Sequence, residues 1–248
     1  MNRVVLFSMI LLSAACTTAT LNNKKQVPEE LTYITTNTKG QGPEIVVDFE
    51  PGEAFYYPLF AIWLEDIQGN YIQTLYVSEA VATGFFKYAR KVNNRWEPGY
   101  KRAPQTLPYW AHKRGVPASD GLYIPDPGSA VPDAYSGPTP ITGFVLTSRA
   151  DTLLPDRFKV MLEINQNWDW NEYWTNDKFP EDENYKMSCQ PALVYEAVIN
   201  NNEVKSNYLM TLAGHSHYSG KTGELFTDLS TLTTALHIAD SIQVRIKN

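Results

Sequence analysis

Three short stretches carry most of the chemical potential of this chain. Gly214-His215-Ser216-His217 sets two imidazoles at i and i+2. On an extended backbone both rings face one side, which makes a two-point metal chelate, and His112 is the donor that would have to join them from elsewhere. Gly214, Gly220 and Gly223 instead mark a turn, and two ligands fall short of the three or four that protein sites use, so a metal is not the expected cofactor. Asn165–Trp174 interleaves Trp168, Trp170, Tyr173 and Trp174 with Asp169 and Glu172. Aromatic faces with polar tips suit stacking on a sugar or packing against a protein partner. Trp110 and His112, from Leu107–Gly115, extend that candidate surface. If the strand continues through 168–170, Trp168 and Trp170 share one face with Asp169 opposite. About half of these rings are expected in the core, where large aromatics usually sit. Acid pairs such as Asp169 with Glu172 or Glu163 do not define the separation a glycosidase needs. The sequence has no Gly-x-Ser-x-Gly elbow, phosphate-cradling loop or plausible Cys–His pair, so the residues point to binding rather than catalysis.

Asp133-Ala-Tyr-Ser-Gly-Pro-Thr139 resembles the attachment motif of covalent-flavin proteins, in which Asp-x-x-Ser/Thr-Gly-Ala-Thr presents a threonine hydroxyl. The resemblance implies flavin mononucleotide joined to Thr139 through a phosphodiester, with Asp133, Ser136 and Gly137 shaping the turn. Pro138 departs from the alanine or serine of that motif, removing a backbone donor and stiffening the approach. The other reading is a Pro/Gly loop that contains Ser and Thr.

The elements that must position these residues read as strands. Leu59–Leu64 and Tyr71–Val77 flank Glu65-Asp66 and Gly69-Asn70, a hairpin. Arg157–Gln166 alternates Phe158, Val160, Leu162 and Ile164 against Lys159, Met161, Glu163 and Asn165, giving one core face and one polar face. Further strands are expected at Glu44–Glu50, Thr142–Ser148, Pro191–Asn200, Tyr208–Leu212 and the C-terminal Ile242–Ile246. Between strands, 79–140 is an insertion. It should hold a helix from Glu79 through Tyr88 and a short one from Pro108 stopped by Gly115, while six prolines from Pro117 to Pro140 exclude strand and helix. The whole is an immunoglobulin-like antiparallel β-sandwich over 42–248 with a long loop and short-helix insertion. Phe60-Ala-Ile-Trp-Leu-Glu-Asp-Ile-Gln-Gly-Asn-Tyr-Ile-Gln-Thr-Leu75 resembles the first hairpin of an uncharacterised family of bacterial periplasmic proteins. Their sandwich is like that of the flagellar hook-capping protein. That resemblance, over about 44–247, implies a periplasmic role beside flavin-linked envelope redox proteins.

Arg3, the apolar Val4–Leu12 and Leu12-Ser-Ala-Ala-Cys16 resemble a bacterial lipoprotein signal, which implies cleavage before Cys16 and lipidation of its thiol. Thr17 after it is not the familiar inner-membrane retention residue, so anchorage is expected at the outer membrane, facing the periplasm or the surface. Residues 17–41, polar and aperiodic, read as a flexible tether. With Cys16 lipidated, Cys189 is left without a disulfide partner and reads as a small buried residue. A formal charge of −6 with no basic run beyond Lys24-Lys25 argues against nucleic-acid binding by a basic patch. The expected function is a lipid-anchored envelope binding module, accessory to extracytoplasmic flavin-linked electron transfer. The alternatives are a covalent flavin carrier and a glycan-binding module.

Overall fold

The computed structural model describes residues 30–203 and 205–247, with Asp133 described through its backbone alone. The expected signal segment and Cys16 lie outside the described residues. Two sheets form the body. One orders β1 (Thr32–Thr36), β8 (Phe144–Arg149), β2 (Glu44–Pro51), β13 (Ala239–Lys247) and β11 (Tyr208–Leu209). The other orders β12 (Thr211–His215), β10 (Leu193–Asn200), β9 (Arg157–Asn165), β3 (Leu59–Asp66), β4 (Tyr71–Ser78) and β7 (Ser136–Gly137). A separate two-stranded ribbon joins β5 (Phe85–Val92) to β6 (Arg95–Tyr100), and three short helices complete the fold: α1 (Glu79–Thr83), α2 (Pro108–Arg114) and α3 (Glu183–Ser188).

Period-2 alternation builds the sandwich core. Val47, Phe49, Phe144, Leu146, Ile242 and Val244 from the first sheet meet Phe60, Ile62, Phe158, Val160, Leu162 and Ile164 from the second. Phe49 stacks on Phe144 at 5.0 Å, and both rings meet Phe60 edge-on at 5.2 Å. The expected mainly β sandwich is the observed fold, with one refinement: β1 runs parallel to β8 and β7 parallel to β4. Both are edge strands delivered by long excursions, which parallel pairing requires.

The insertion differs most from its sequence reading. Gly84, in the left-handed region at φ 71°, ends α1 after Thr83, so the helix does not reach Tyr88. Phe85–Val92 is instead half of the ribbon, turned by Asn93 and Asn94, both at positive φ. The proline-rich stretch does contain a 3-10 turn, Asp133–Tyr135, and the edge strand β7. The expected tether overlaps the fold, because Thr32–Thr36 is a paired strand.

The polar face of β9 is not solvent-facing. The insertion covers the outer face of the six-stranded sheet and makes a second core, with Ala61, Trp63, Val77, Met161 and Val194 beneath Val81, Ala82, Leu107, Trp110, Ala111 and Ile124. Polar pins fix it in register. Trp110 Nε1 donates to Thr74 at 2.9 Å. Asn165 Nδ2 donates to the carbonyls of Gln105 and Thr106 at 3.0 and 2.8 Å. Glu163 receives the backbone N–H groups of Tyr109 and Trp110 at 3.2 and 2.8 Å. These are the first N–H groups of α2, left open because Leu107 at the cap position offers no side-chain acceptor.

Candidate functional site

The aromatic stretch after β9 is a turn, not a strand. The strand stops at Asn165, and Trp168 sits at φ 65°, so the face shared by Trp168 and Trp170 does not exist. Strand geometry is lost because Asn165 is pinned and the chain bends back onto the end of α3. Trp168 N–H donates to Met187 O, Asp169 N–H to Ser188 O, and Gln190 N–H to Asp169 O. The Thr234 hydroxyl donates to Asp169 Oδ1. Asn171 Oδ1 accepts from the backbone N–H groups of Tyr173 and Trp174, while its amide donates to Thr231 O and to the Thr233 hydroxyl. The backbone is thus tied on several sides while Trp168, Trp170 and Tyr173 remain 47%, 54% and 51% exposed. Lys178 Nζ lies 3.0 Å from the centroid of Tyr173 and donates to its carbonyl, a cation–π contact that holds the ring.

Trp174 and Trp110 do not belong to this surface. Trp174 is buried, bonded through Nε1 to Thr231, and packs with Tyr185, Tyr218 and His215 as the floor of the turn. Trp110 is fully buried in the second core. Burial of a large ring outweighs its service as a partner contact wherever a sheet face needs covering.

The histidines are drawn into the same region but are occupied. His215 ends β12, a strand where the glycines had suggested a turn, and its ring stacks on Phe226 at 5.4 Å. Its Nδ1 donates to Ser216 O. His217 stacks on Tyr218 at 4.4 Å, and its Nδ1 accepts the Ser219 N–H; burial and the nearby Lys221 ammonium hold its pKa below the ordinary value. His112 is half-buried, with Nδ1 donating to Pro108 O and the ring against Tyr123. Among the described residues no group of three or more His, Cys, Asp or Glu is gathered for a metal ion.

Thr139 lies far from this region. Its stretch adds β7 to β4, at the opposite edge of the six-stranded sheet from β12. Five strand spacings separate those edges, roughly 24 Å. Ser136 and Gly137 pair with Val77 and Ser78. The Tyr76 hydroxyl donates to the carbonyls of Gly137 and Pro138 at 3.1 and 2.6 Å. A Cβ on Gly137 would stand 3.3 Å from the Tyr76 ring, so packing alone accounts for this glycine. The structure therefore brings His215, His217 and the 168–174 turn together and leaves 133–139 apart.

Two perturbed acids and the thiol are structural. Glu163 is fully buried, and desolvation pushes its pKa up to about 8 despite the two N–H groups it accepts. No cavity reaches it among those described, and its partners are helix donors. Burial likewise raises Asp169. Cys189 is buried and pushed up to about 11 by desolvation, the inert thiol expected.

Sequence reading missed two concave features. A polar pocket of about 180 Å3 lies between Tyr71, Arg114, Tyr135 and Asp151. Arg114 Nη1 is buried there without a partner while Nη2 donates to Ser129 O. At that volume it suits a few waters rather than an organic ligand. A groove of about 420 Å3 runs along Phe55, Tyr56, Tyr57 and Ile141, with Tyr57 at φ 52°. Neither has a local motif, because topology alone brings such distant positions together. The ribbon did have a signal: Asn93-Asn94 between two β-rich runs, the two-residue turn of a hairpin. Comparison of the chain with family models, curated proteins and solved structures finds no match.

Proposed function

We propose that the chain is a lipid-anchored binding module of the bacterial cell envelope, with the Trp168–Tyr173 turn as its recognition face. The carrying observation is three exposed aromatic rings on a backbone tied to α3 and to the 231–234 segment. Rigid exposed aromatics lose little freedom on binding, which is why they serve as anchors. The lipoprotein-like signal ending at Cys16 supports anchorage at the outer membrane. The resemblance to periplasmic proteins that accompany flavin-linked partners makes an accessory part in extracytoplasmic electron transfer the sharper form of this reading. A glycan ligand would use the same rings by stacking. Trp170→Ala and Trp168→Ala should each weaken capture of an envelope protein or glycan by roughly 5- to 100-fold, the range of a hot-spot residue, with the melting temperature unchanged. Unaltered binding in both variants on protein cross-linking and on a glycan panel would sink the assignment of this face. Intact mass of the chain purified from membranes should show a lipidated Cys16 terminus, and Cys16→Ala should leave the detergent phase.

A flavin carrier modified at Thr139 is the second reading. In its favour, Thr139 is partly exposed beside a turn held by the Tyr76 hydroxyl. Co-expression with a flavin transferase should then add the mass of flavin mononucleotide, lost in Thr139→Ala; an unmodified mass refutes it.

A further inference from the structure

The β5–β6 ribbon has no part in the recognition face, and none of its residues from Phe85 to Tyr100 is buried. It carries Lys87, Arg90, Lys91 and Arg95 against the single acid Glu97, in a chain whose formal charge is −6. Arg90 is the one cation of the four that pairs with Glu97, at 3.3 Å. Register sorts the rest. Phe85 opposes Tyr100 and Lys91 opposes Trp96, and along β6 positions 96, 98 and 100 share a face. One face therefore bears Trp96 (43% exposed), Pro98, and the edge-on pair Phe85 and Tyr100 (46% and 68% exposed, 5.2 Å apart), with Lys91 among them. Phe86, opposite Gly99 on the other face, is the residue that packs against the second core. By the same alternation Arg95, opposite Val92, falls with Arg90 and Glu97 on the Phe86 side. The ribbon thus anchors by one face and presents the aromatics with Lys91 on the other, while Lys87 lies in the irregular stretch between Phe86 and Arg90 and all four cations stay exposed.

Its base lies at a particular end of the sandwich. β4 hands on to α1 at Ser78, whose hydroxyl accepts the Phe60 N–H. Phe60 touches Phe144 and Phe49 across the core, and Phe144 is level with Thr32 at the start of β1. Glu30, where the described chain begins, accepts the Thr142 hydroxyl at this same end. Exposed Leu31, Tyr56, Tyr57 and Ile141 cluster there as well. Residues 17–29 would extend at most about 45 Å from this end, so a lipid at Cys16 would hold it close to a bilayer.

We propose that the ribbon and the exposed apolar residues beside the chain's start dock on an anionic phospholipid bilayer. Tryptophan and tyrosine favour the headgroup boundary, and cations near an anionic leaflet are attracted to it. Phe85, without a polar tip, favours this surface over a soluble polyanion. The proposal rests on the envelope reading only for which bilayer is at hand.

The test uses the chain from Thr17 onward, which contains every described residue and lacks Cys16, so failure of the anchor and failure of docking are separable. Co-sedimentation is measured with phosphatidylcholine vesicles and with vesicles containing phosphatidylglycerol. Binding is expected only to the second, abolished at high salt. Each cation removed should cost roughly fivefold, so Lys87→Glu/Lys91→Glu/Arg95→Glu should lose at least about a hundredfold. Trp96→Ala should lose roughly tenfold, and Leu153→Ala, an exposed apolar residue past the far end of β8, should bind as the parent does. Circular dichroism confirms that each variant is folded. Absence of binding, equal binding to neutral vesicles, or full binding by the triple variant overturns the proposal. Retention on a polyuronate matrix without vesicle binding does so too, and assigns the ribbon to an acidic glycan.

Discussion

Glu163 shows at the residue scale how a suggestive acid resolves into a structural one. A carboxyl of about 8 in the folded chain, against an ordinary value near 4.3 when unfolded, keeps a proton in the fold that the unfolded chain releases. The stabilisation that its neutral form provides is therefore full below about pH 4.5 and is lost as pH rises through about 8. Melting temperature should fall between about pH 5 and pH 8 and level off above, and Glu163→Gln should flatten that fall; an unchanged slope in the variant would mean that Glu163 is not its source. Glu163→Ala should cost about 2–4 kcal/mol by denaturant titration, because Tyr109 and Trp110 lose the acceptors for their N–H groups. In the sequence, Glu163 is visible as a polar position on an alternating strand, but nothing local says that a helix from 50 residues upstream will rest on it. The exposed Trp168, Trp170 and Tyr173 were legible as a surface. Trp110 and Trp174 were not, since a ring's type does not say which side of a sheet lacks cover.

At the scale of elements, strands with an alternating face were legible in the sequence: β3, β4, β9, β10 and β13 fall where periodicity puts them. What escaped were pieces defined by a turn or by a distant edge. The run Phe85–Val92 reads equally well as helix until Asn93-Asn94 is weighed, and β7 is two residues long, made by the availability of β4 rather than by its own proline-flanked sequence. The ribbon's exposure has a kinetic consequence. Among the described residues, limited trypsin digestion should cut first at Lys87, Arg90, Lys91 or Arg95, leaving a nicked chain whose circular dichroism is unchanged; an earlier cut elsewhere between Glu30 and Lys247 would place the weakest segment outside the ribbon.

For the whole molecule, the shared six-stranded sheet matters most. The same strands β3 and β9 line the sandwich core with one face and the second core with the other. The insertion is consequently no separate unit, and losing either layer exposes both. Tryptophan fluorescence, to which Trp63 and Trp110 in the second core contribute together with four other indoles, should change in a single transition that coincides with the loss of β circular dichroism. Two separated midpoints would show that the insertion unfolds independently.

The first strand, β1, lies along β8 and covers the open edge of the five-stranded sheet. A chain shortened to begin at Gly42, just past the polar stretch 17–41, would uncover the row of β8 backbone donors and acceptors that β1 now occupies. Unpaired on that side and carrying Phe144 and Leu146, that edge is a template for strands from other copies. The shortened chain should self-associate with concentration, as light scattering would read, while the chain from Thr17 stays monodisperse. Five residues of what looks like linker thus act as a guard against aggregation.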